Sequence, residues 1–298
     1  MIRSARISIA FILALLSITF EIKAQSNSDE VLTVDSSTVL INATILDGDG
    51  RYVSGLRREQ FSVFEDGVQQ EISFFSTAET PFAAVILIDT SGSMRGQMSM
   101  ARAAAINFLD GIRRDDQVAI YRFASRVELV QDFSTSRDIS ESIFDAKADG
   151  MTALNDAVFL AAKELAMRPE KRRAIIVLSD GEDSASGRSA DRALRASLEA
   201  GAVIYTVDLS SIEMNAQRRM QSQGVLRNFA NRSGGRFVST PAGRALRQAF
   251  EGILDELRMQ YTLAYEPIRR EKDGRWRSIE VRVTRPNLTI RTRKGYTP

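Results

Sequence analysis

The sequence predicts an α/β protein with a doubly wound, mostly parallel sheet, flanked by N- and C-terminal β-strands. Two observations predict this fold class. Residues 81–260 alternate short apolar runs, typical of buried strands, with stretches of apolar residues at helical spacing. Residues 25–80 and 261–298 instead contain short β-branched or alternating segments separated by turns. The chain has 298 residues and no cysteine, so its stability must come from a packed core rather than from disulfides.

The first 24 residues are typical of a secretory signal peptide. Arg3 and Arg6 precede an apolar run at 7–20, and Ala24 offers a small residue at a cleavage point before Gln25. The run is shorter than the roughly 20 residues that a membrane-spanning helix needs. We therefore expect a mature chain without a membrane span, located in the periplasm or secreted. An uncleaved N-terminal anchor is the alternative.

The two flanking segments, 25–80 and 261–298, read as strands that form one small structure. The turn at 47–50 is rich in Asp and Gly, and we interpret it as a hairpin turn rather than a calcium loop. Three short strands in 261–298 cannot bury much surface alone. We expect them to pair with the N-terminal strands in a small β-sandwich, into which the domain at 81–260 is inserted.

Two apolar patterns mark the elements of the central domain: continuous apolar runs for strands, and apolar residues at helical spacing for helices. Buried strands are predicted at 82–88, 117–123, 174–178 and 202–207, and helices at 98–112, 154–165 and 246–257.

Oxygen-bearing side chains follow the first of these strands. Asp89, Ser91 and Ser93 lie on one short loop, and such a set of oxygens suits a hard cation. Asp and Ser are also common in turns and helix caps, which is the alternative interpretation of each residue alone.

The sequence Asp89-Thr90-Ser91-Gly92-Ser93 resembles the DxSxS element of the von Willebrand factor type A family, whose members bind a divalent metal at a metal-ion-dependent adhesion site. The family pattern also has a threonine on a second loop and an aspartate on a third. Thr152 and Asp180 match these positions. Thr152 precedes the predicted helix at 154–165, and Asp180 follows the predicted strand at 174–178, so both loops would lie at the same edge of the sheet.

The resemblance implies roles for these residues. The hydroxyls of Ser91, Ser93 and Thr152 would bind the metal directly, while Asp89 and Asp180 would act through bound water. Mg²⁺ is the expected ion, with Mn²⁺ or Ca²⁺ as alternatives. An Asp or Glu carboxylate from a protein partner would fill the remaining position.

The flanking segments are similar to those of bacterial secreted vWFA-related proteins. The matching stretches lie at 53–56, 61–67, 261–265 and 293–296. This likeness extends the resemblance over most of the mature chain, although its motifs are less specific than those of the metal loops.

Composition argues against catalysis. The chain has no histidine and no cysteine, which excludes Ser-His-Asp and Cys-His nucleophilic machinery and the usual zinc sites. An aspartyl-phosphate phosphatase typically carries a second aspartate where this chain has Ser91.

The C-terminal segment is rich in basic residues: residues 266–294 contain ten Lys and Arg and four acidic residues. We interpret them as a solvated sheet face, so no nucleic-acid partner is expected.

Two functions are therefore predicted. The first is a non-enzymatic, metal-dependent protein-binding module of the adhesion type outside the cytoplasm. The alternative is a structural or assembly subunit of an envelope complex, with a stabilising or vestigial metal site. The sequence does not fix the oligomeric state.

Overall fold

The computed structural model describes residues 38–77, 80–137, 148–211, 213–239 and 244–298. All of these residues belong to one compact unit, Val34–Pro298. The signal peptide predicted at 1–24 lies outside the described residues. No helix in the described part of the chain combines the length and the apolar character needed to cross a membrane.

The elements alternate between strands and helices only in the middle of the chain. The strands are β1 (Val39–Leu46), β2 (Phe61–Glu65), β3 (Val68–Gln70), β4 (Ile72–Ser76), β5 (Phe82–Asp89), β6 (Gln117–Phe123), β7 (Val127–Ser134), β8 (Arg172–Ser179), β9 (Ala202–Asp208), β10 (Phe237–Ser239), β11 (Tyr261–Tyr265), β12 (Arg277–Val283), β13 (Thr289–Arg291) and β14 (Gly295–Tyr296). The helices are α1 (Met98–Asp110), α2 (Leu154–Ala166), α3 (Ala190–Glu199), α4 (Ala216–Ser233) and α5 (Arg244–Met259).

The central sheet has the order β10-β9-β8-β5-β6-β7. All of its pairs are parallel except β6 with β7. Alternate residues of β5 enter different cores: Ile86 packs with α1 and α5, while Val85 and Leu87 pack with α2, α3 and α4. Helices on both faces explain why β5 is apolar at consecutive positions. The predicted fold class is confirmed.

Two antiparallel sheets flank this domain, with the orders β13-β1-β11-β4 and β14-β12-β2-β3. Strands from both ends of the chain pair directly, β1 with β11 and β2 with β12. Side chains from both sheets share one apolar core, which includes Ile41, Val63 and Tyr265. Neither terminal segment could form this core alone, because each sheet takes strands from both.

A buried arginine lies where the central domain meets these sheets. Arg172, at the start of β8, is fully buried. Its guanidinium donates to the Thr262 hydroxyl (3.2 Å) and to the carbonyls of Thr77 and Gln260. It lies 3.3–3.5 Å from three further carbonyls, those of Thr80, Leu257 and Arg258. One side chain therefore contacts both segments that connect the central domain to the flanking sheets.

The prediction of a solvated basic face is wrong for two of the ten residues. Arg277 is buried beside the carboxylate of Glu65, at 3.1 Å. Arg293 is also buried, and donates to the carbonyl oxygens of Leu40 (3.0 Å) and Leu198 (2.8 Å). Their charges are buried because fixed acceptors from distant parts of the chain surround them.

Candidate metal-binding site

The first loop of the candidate site begins where β5 ends. Asp89 is fully buried, and its Oδ1 accepts a hydrogen bond from the Ser91 backbone N–H (2.9 Å). A short helical turn, Gly92–Met94, then carries the chain outward. Ser93 is exposed, and its hydroxyl lies 3.1 Å from the hydroxyl of Ser91. The loop therefore runs from two buried residues, Asp89 and Ser91, to the exposed hydroxyl of Ser93.

The second loop lies against the first through backbone hydrogen bonds. The Gly92 N–H donates to the Gly150 carbonyl (3.0 Å), and the Asp149 N–H donates to the Thr90 carbonyl (2.9 Å). Thr152 follows on this loop, two residues before α2 begins, and is almost completely buried. The conformation of Gly150, with φ of 80°, lies in the left-handed region that favours glycine.

The third loop follows β8 and contacts both of the others. The Ser179 hydroxyl donates to Asp89 Oδ2 (2.6 Å), which links it to the first loop. The backbone N–H groups of Ser184 and Ala185 both donate to the Thr152 carbonyl, at 2.8 and 2.9 Å. Asp180 lies between these two links and is buried. The structure thus places Asp89, Ser91, Ser93, Thr152 and Asp180 on three connected loops at one sheet edge.

The two carboxylates of the site are buried without a cationic partner. Burial raises the pKa of Asp89 to about 7, although hydrogen bonds from Ser179 and Ser91 act in the opposite direction. The negative charge of Asp180 raises it further. Asp180 Oδ1 accepts from the Glu182 N–H (3.0 Å), whereas Oδ2 is buried and has no hydrogen-bond partner among the described residues. An orphaned carboxylate oxygen is costly unless a further group satisfies it.

These donors fit a hard divalent cation. Within the described residues, no group of three or more Asp or Glu side chains could hold a metal ion, and the chain has no histidine or cysteine. The candidate set instead combines three hydroxyls with two carboxylates. Oxygen ligands of this kind, with few formal charges, suit Mg²⁺ and the water that it retains. Metal binding by these residues stays a prediction.

Two further residues belong to this edge and were not assigned a role from sequence. Ser179 connects the first and third loops through Asp89. Asp208 ends β9 next to Ser179, and accepts from the Ser210 N–H (2.9 Å) and from Gln223 (2.7 Å). The Ser210 hydroxyl lies 2.5 Å from Asp208 Oδ1 and 3.3 Å from the Asp180 carbonyl, so Asp208 and Ser210 support the third loop. The sequence pattern could have identified Asp208, because this residue ends an apolar run as Asp89 does.

The surface around the loops offers both apolar and charged contacts. Met151 precedes Thr152 and is 57% exposed. Arg218 of α4 forms an ion pair with Glu182 of the third loop at 3.2 Å. The exposed Ser93 hydroxyl is therefore accompanied by an apolar group that a partner could contact.

Comparison with known proteins finds a family similarity in the central region. Residues 84–182 match the family described as von Willebrand factor type A domain. Comparison with curated proteins finds no match to this sequence.

Two solved structures with a TM-score of 0.50 share the fold at low sequence identity. A von Willebrand factor type A structure from Catenulispora acidiphila is 15% identical, covering 88% of this chain and 74% of that one, with a TM-score of 0.50. The vWF domain of the type V pili tip protein Mfa5 from Porphyromonas gingivalis is 14% identical, covering 60% and 95%, with a TM-score of 0.50. An aerotolerance-related membrane protein from Bacteroides fragilis is 19% identical, covering 59% and 98%, with a TM-score of 0.46.

Proposed function

Because residues 84–182 match the von Willebrand factor type A family, we propose that the protein is a non-enzymatic, divalent-metal-dependent protein-binding module that acts outside the cytoplasm. One observation supports this proposal most strongly. Asp89 and Asp180 are two buried carboxylates on adjacent loops, and no lysine or arginine in the described chain forms an ion pair with either. A bound cation would offset both charges and satisfy the free oxygen of Asp180.

The residues would divide the work of holding the ion. The hydroxyls of Ser91, Ser93 and Thr152 would bind it directly, and the carboxylates of Asp89 and Asp180 would orient its bound waters. Mg²⁺ is the proposed ion, and Mn²⁺ and Ca²⁺ are the alternatives. When bound, it supplies a positive centre that attracts an anionic ligand.

A protein partner would contribute the remaining ligand, as an Asp or Glu carboxylate. Ser93 is exposed, so a carboxylate can approach from solvent on this side of the loop. Met151 would add an apolar contact beside it. The partner is thus proposed to present an acidic residue next to an apolar one.

Two arguments support a binding role outside the cytoplasm. The chain has no histidine or cysteine, so the nucleophilic and acid–base groups that most often carry hydrolysis are missing. The signal peptide predicted at 1–24 directs export. The neighbour Mfa5 is a type V pili tip protein, and we extend such an extracellular setting to this chain.

Calorimetric titration of Mg²⁺ into chelator-stripped protein tests the site. We expect saturable binding that is lost in Asp89→Ala and in Thr152→Ala, with the circular dichroism of both variants unchanged. Asp132→Ala, which removes an exposed aspartate of β7, is the matched control and should bind like the native protein. Binding that persists unchanged in the two site variants would show that the ion lies elsewhere.

The second candidate function is a structural or assembly subunit in which the metal only stabilises the fold. One observation favours it: Asp89 accepts hydrogen bonds from Ser91 and Ser179, which themselves fix the first loop and tie it to the end of β8. The metal would then raise stability by about 2.7 kcal/mol at 100 times its dissociation constant, without affecting partner capture. Pulldown of a partner with and without EDTA separates the two functions. Capture that survives EDTA favours the assembly subunit.

A further inference from the structure

A second candidate binding site lies away from the metal loops. A cleft of about 380 Å³ opens between α3, the end of α4 and the C-terminal region of the chain. We name it the Trp276 groove; its lining includes Asp191, Leu194, Arg195, Arg232, Trp276 and Thr297. None of the metal-site residues lines it. The volume falls in the range of small-molecule sites.

The aromatic wall of this groove is held in place although it is exposed. Trp276 is 42% exposed and is the only tryptophan in the chain. The Arg232 guanidinium lies 5.2 Å from the ring centroid. Gly295 packs so closely that a Cβ there would lie 2.6 Å from Cζ2 of the indole. An exposed but fixed indole costs little entropy when a ligand covers its free surface.

The charges of the groove leave one cation without a partner. Asp191 and Arg195 are four residues apart and therefore lie on one face of α3. The carboxylate of Asp191 is paired with Arg232 at 3.2 Å. Arg195 is exposed and has no hydrogen bond or ion pair with any other described residue. A free guanidinium beside a neutralised pair favours an anionic ligand.

The remaining polar groups distinguish among anions. The hydroxyl of Thr297 and the Asp191 carboxylate, which is 76% exposed, add a donor and acceptors beside the two arginines. A simple inorganic anion would use only the arginines, and an aromatic acid would leave the acceptors unmatched. A ligand rich in hydroxyls, with one carboxylate and an apolar ring face, would use all of them.

We propose that the Trp276 groove binds a carboxylate-bearing sugar unit of an acidic glycan. The carboxylate lies at Arg195 and Arg232, and the ring packs on the exposed part of Trp276. The sugar hydroxyls exchange hydrogen bonds with Asp191 and Thr297. This site is independent of the metal loops, so chelation does not affect it.

The single tryptophan makes the groove directly observable. Purified protein is titrated with a trimer of galacturonic acid, with neutral maltotriose and with inorganic phosphate, following tryptophan emission and, on the same samples, heat. We expect saturable binding of the acidic trimer with a change in emission, at least tenfold weaker binding of maltotriose, and no saturable effect of phosphate.

Variants on α3 locate the ligand. Arg195→Gln should weaken binding of the acidic trimer at least tenfold. Arg192→Gln, an exposed arginine on the same helix outside the groove, is the matched control and should leave binding unchanged. The proposal is overturned by absence of both heat and emission change, by equal binding of phosphate, by equal binding of maltotriose, or by unchanged binding in Arg195→Gln.

Discussion

Replacing Arg172 with methionine tests how the flanking sheets hold the central domain. Methionine keeps most of the aliphatic volume but removes every hydrogen bond that the guanidinium donates. The carbonyls of Thr77 and Gln260 lie at the two connections between the domains, and both would lose their donor. The Gln260 carbonyl would lose it in a buried place. We therefore expect Arg172→Met to lower stability and to loosen the junction at once.

The magnitude follows from the number of good contacts. Three hydrogen bonds have ordinary or short distances, to Thr262, Thr77 and Gln260, whereas the contacts at 3.3–3.5 Å are weak. At about 1.5–3 kcal/mol for each bond to a charged group, the gross loss is about 5–9 kcal/mol. The variant also has no guanidinium to desolvate on folding, and the absence of this cost offsets several kcal/mol of the lost hydrogen-bond energy. A net loss of about 3 kcal/mol in the free energy of unfolding remains.

Urea unfolding with two probes measures both effects. Emission of Trp276 reports the C-terminal region next to β12, and circular dichroism reports the helices of the central domain. In the native protein we expect the two transitions to coincide. In Arg172→Met we expect the emission transition to occur at lower urea than the dichroism transition, because the junction no longer couples the two parts.

The neighbouring arginine provides the control. Arg173 is on the same strand, and its guanidinium donates to carbonyls of the central domain only, among them those of Glu170 (2.8 Å) and Ala200 (2.9 Å). Arg173→Met should lower stability while the two transitions stay together. If Arg172→Met costs less than about 1 kcal/mol and its transitions also coincide, the proposed role of Arg172 at the junction is wrong.

Two further changes test the metal loops and their surroundings. Gly181 has φ of 82°, and a Cβ there would lie 2.6 Å from the Ser222 carbonyl, so Gly181→Ala should cost about 2 kcal/mol by urea unfolding and weaken Mg²⁺ binding by calorimetry. Gly224→Ala is the control, because that position in α4 is open and alanine should be neutral or stabilising. Burial acts to raise the pKa of Asp156, but hydrogen bonds from backbone N–H groups and from Arg188 outweigh it and lower the pKa below 3.8. The stability from Asp156 is therefore present above its ordinary pKa and is lost as the pH falls through the lowered value. Thermal melts between pH 5 and about 2.5 should show a smaller loss in Asp156→Asn than in the native protein, and equal slopes would contradict this assignment.

The sequence by itself determined the central strands, because each of them is a continuous run of apolar residues. Strands β5, β8 and β9 are buried on both faces, so their apolar residues are consecutive and easy to locate. The oxygen-rich loop after β5 was visible for the same reason, because polar residues end an apolar run abruptly.

Two of the elements that the sequence analysis left unassigned, α4 and β7, have weak patterns. Helix α4 is polar over most of its length, and it places serines such as Ser222 and Ser233 on its buried face. Strand β7 lies at the edge of the central sheet and is half-exposed, so no run of apolar residues marks it. In both cases tertiary contacts decide which structure forms, and the local sequence pattern gives little indication of it.

The surroundings of the charged groups were decided by the tertiary structure alone. Arg277 and Glu65 are more than 200 positions apart, and neither shows by its local sequence that it is buried. Ser179 likewise reaches Asp89 across 90 positions. A local pattern records the period and polarity of side chains, whereas the cost of burying a charge depends on which distant group satisfies it.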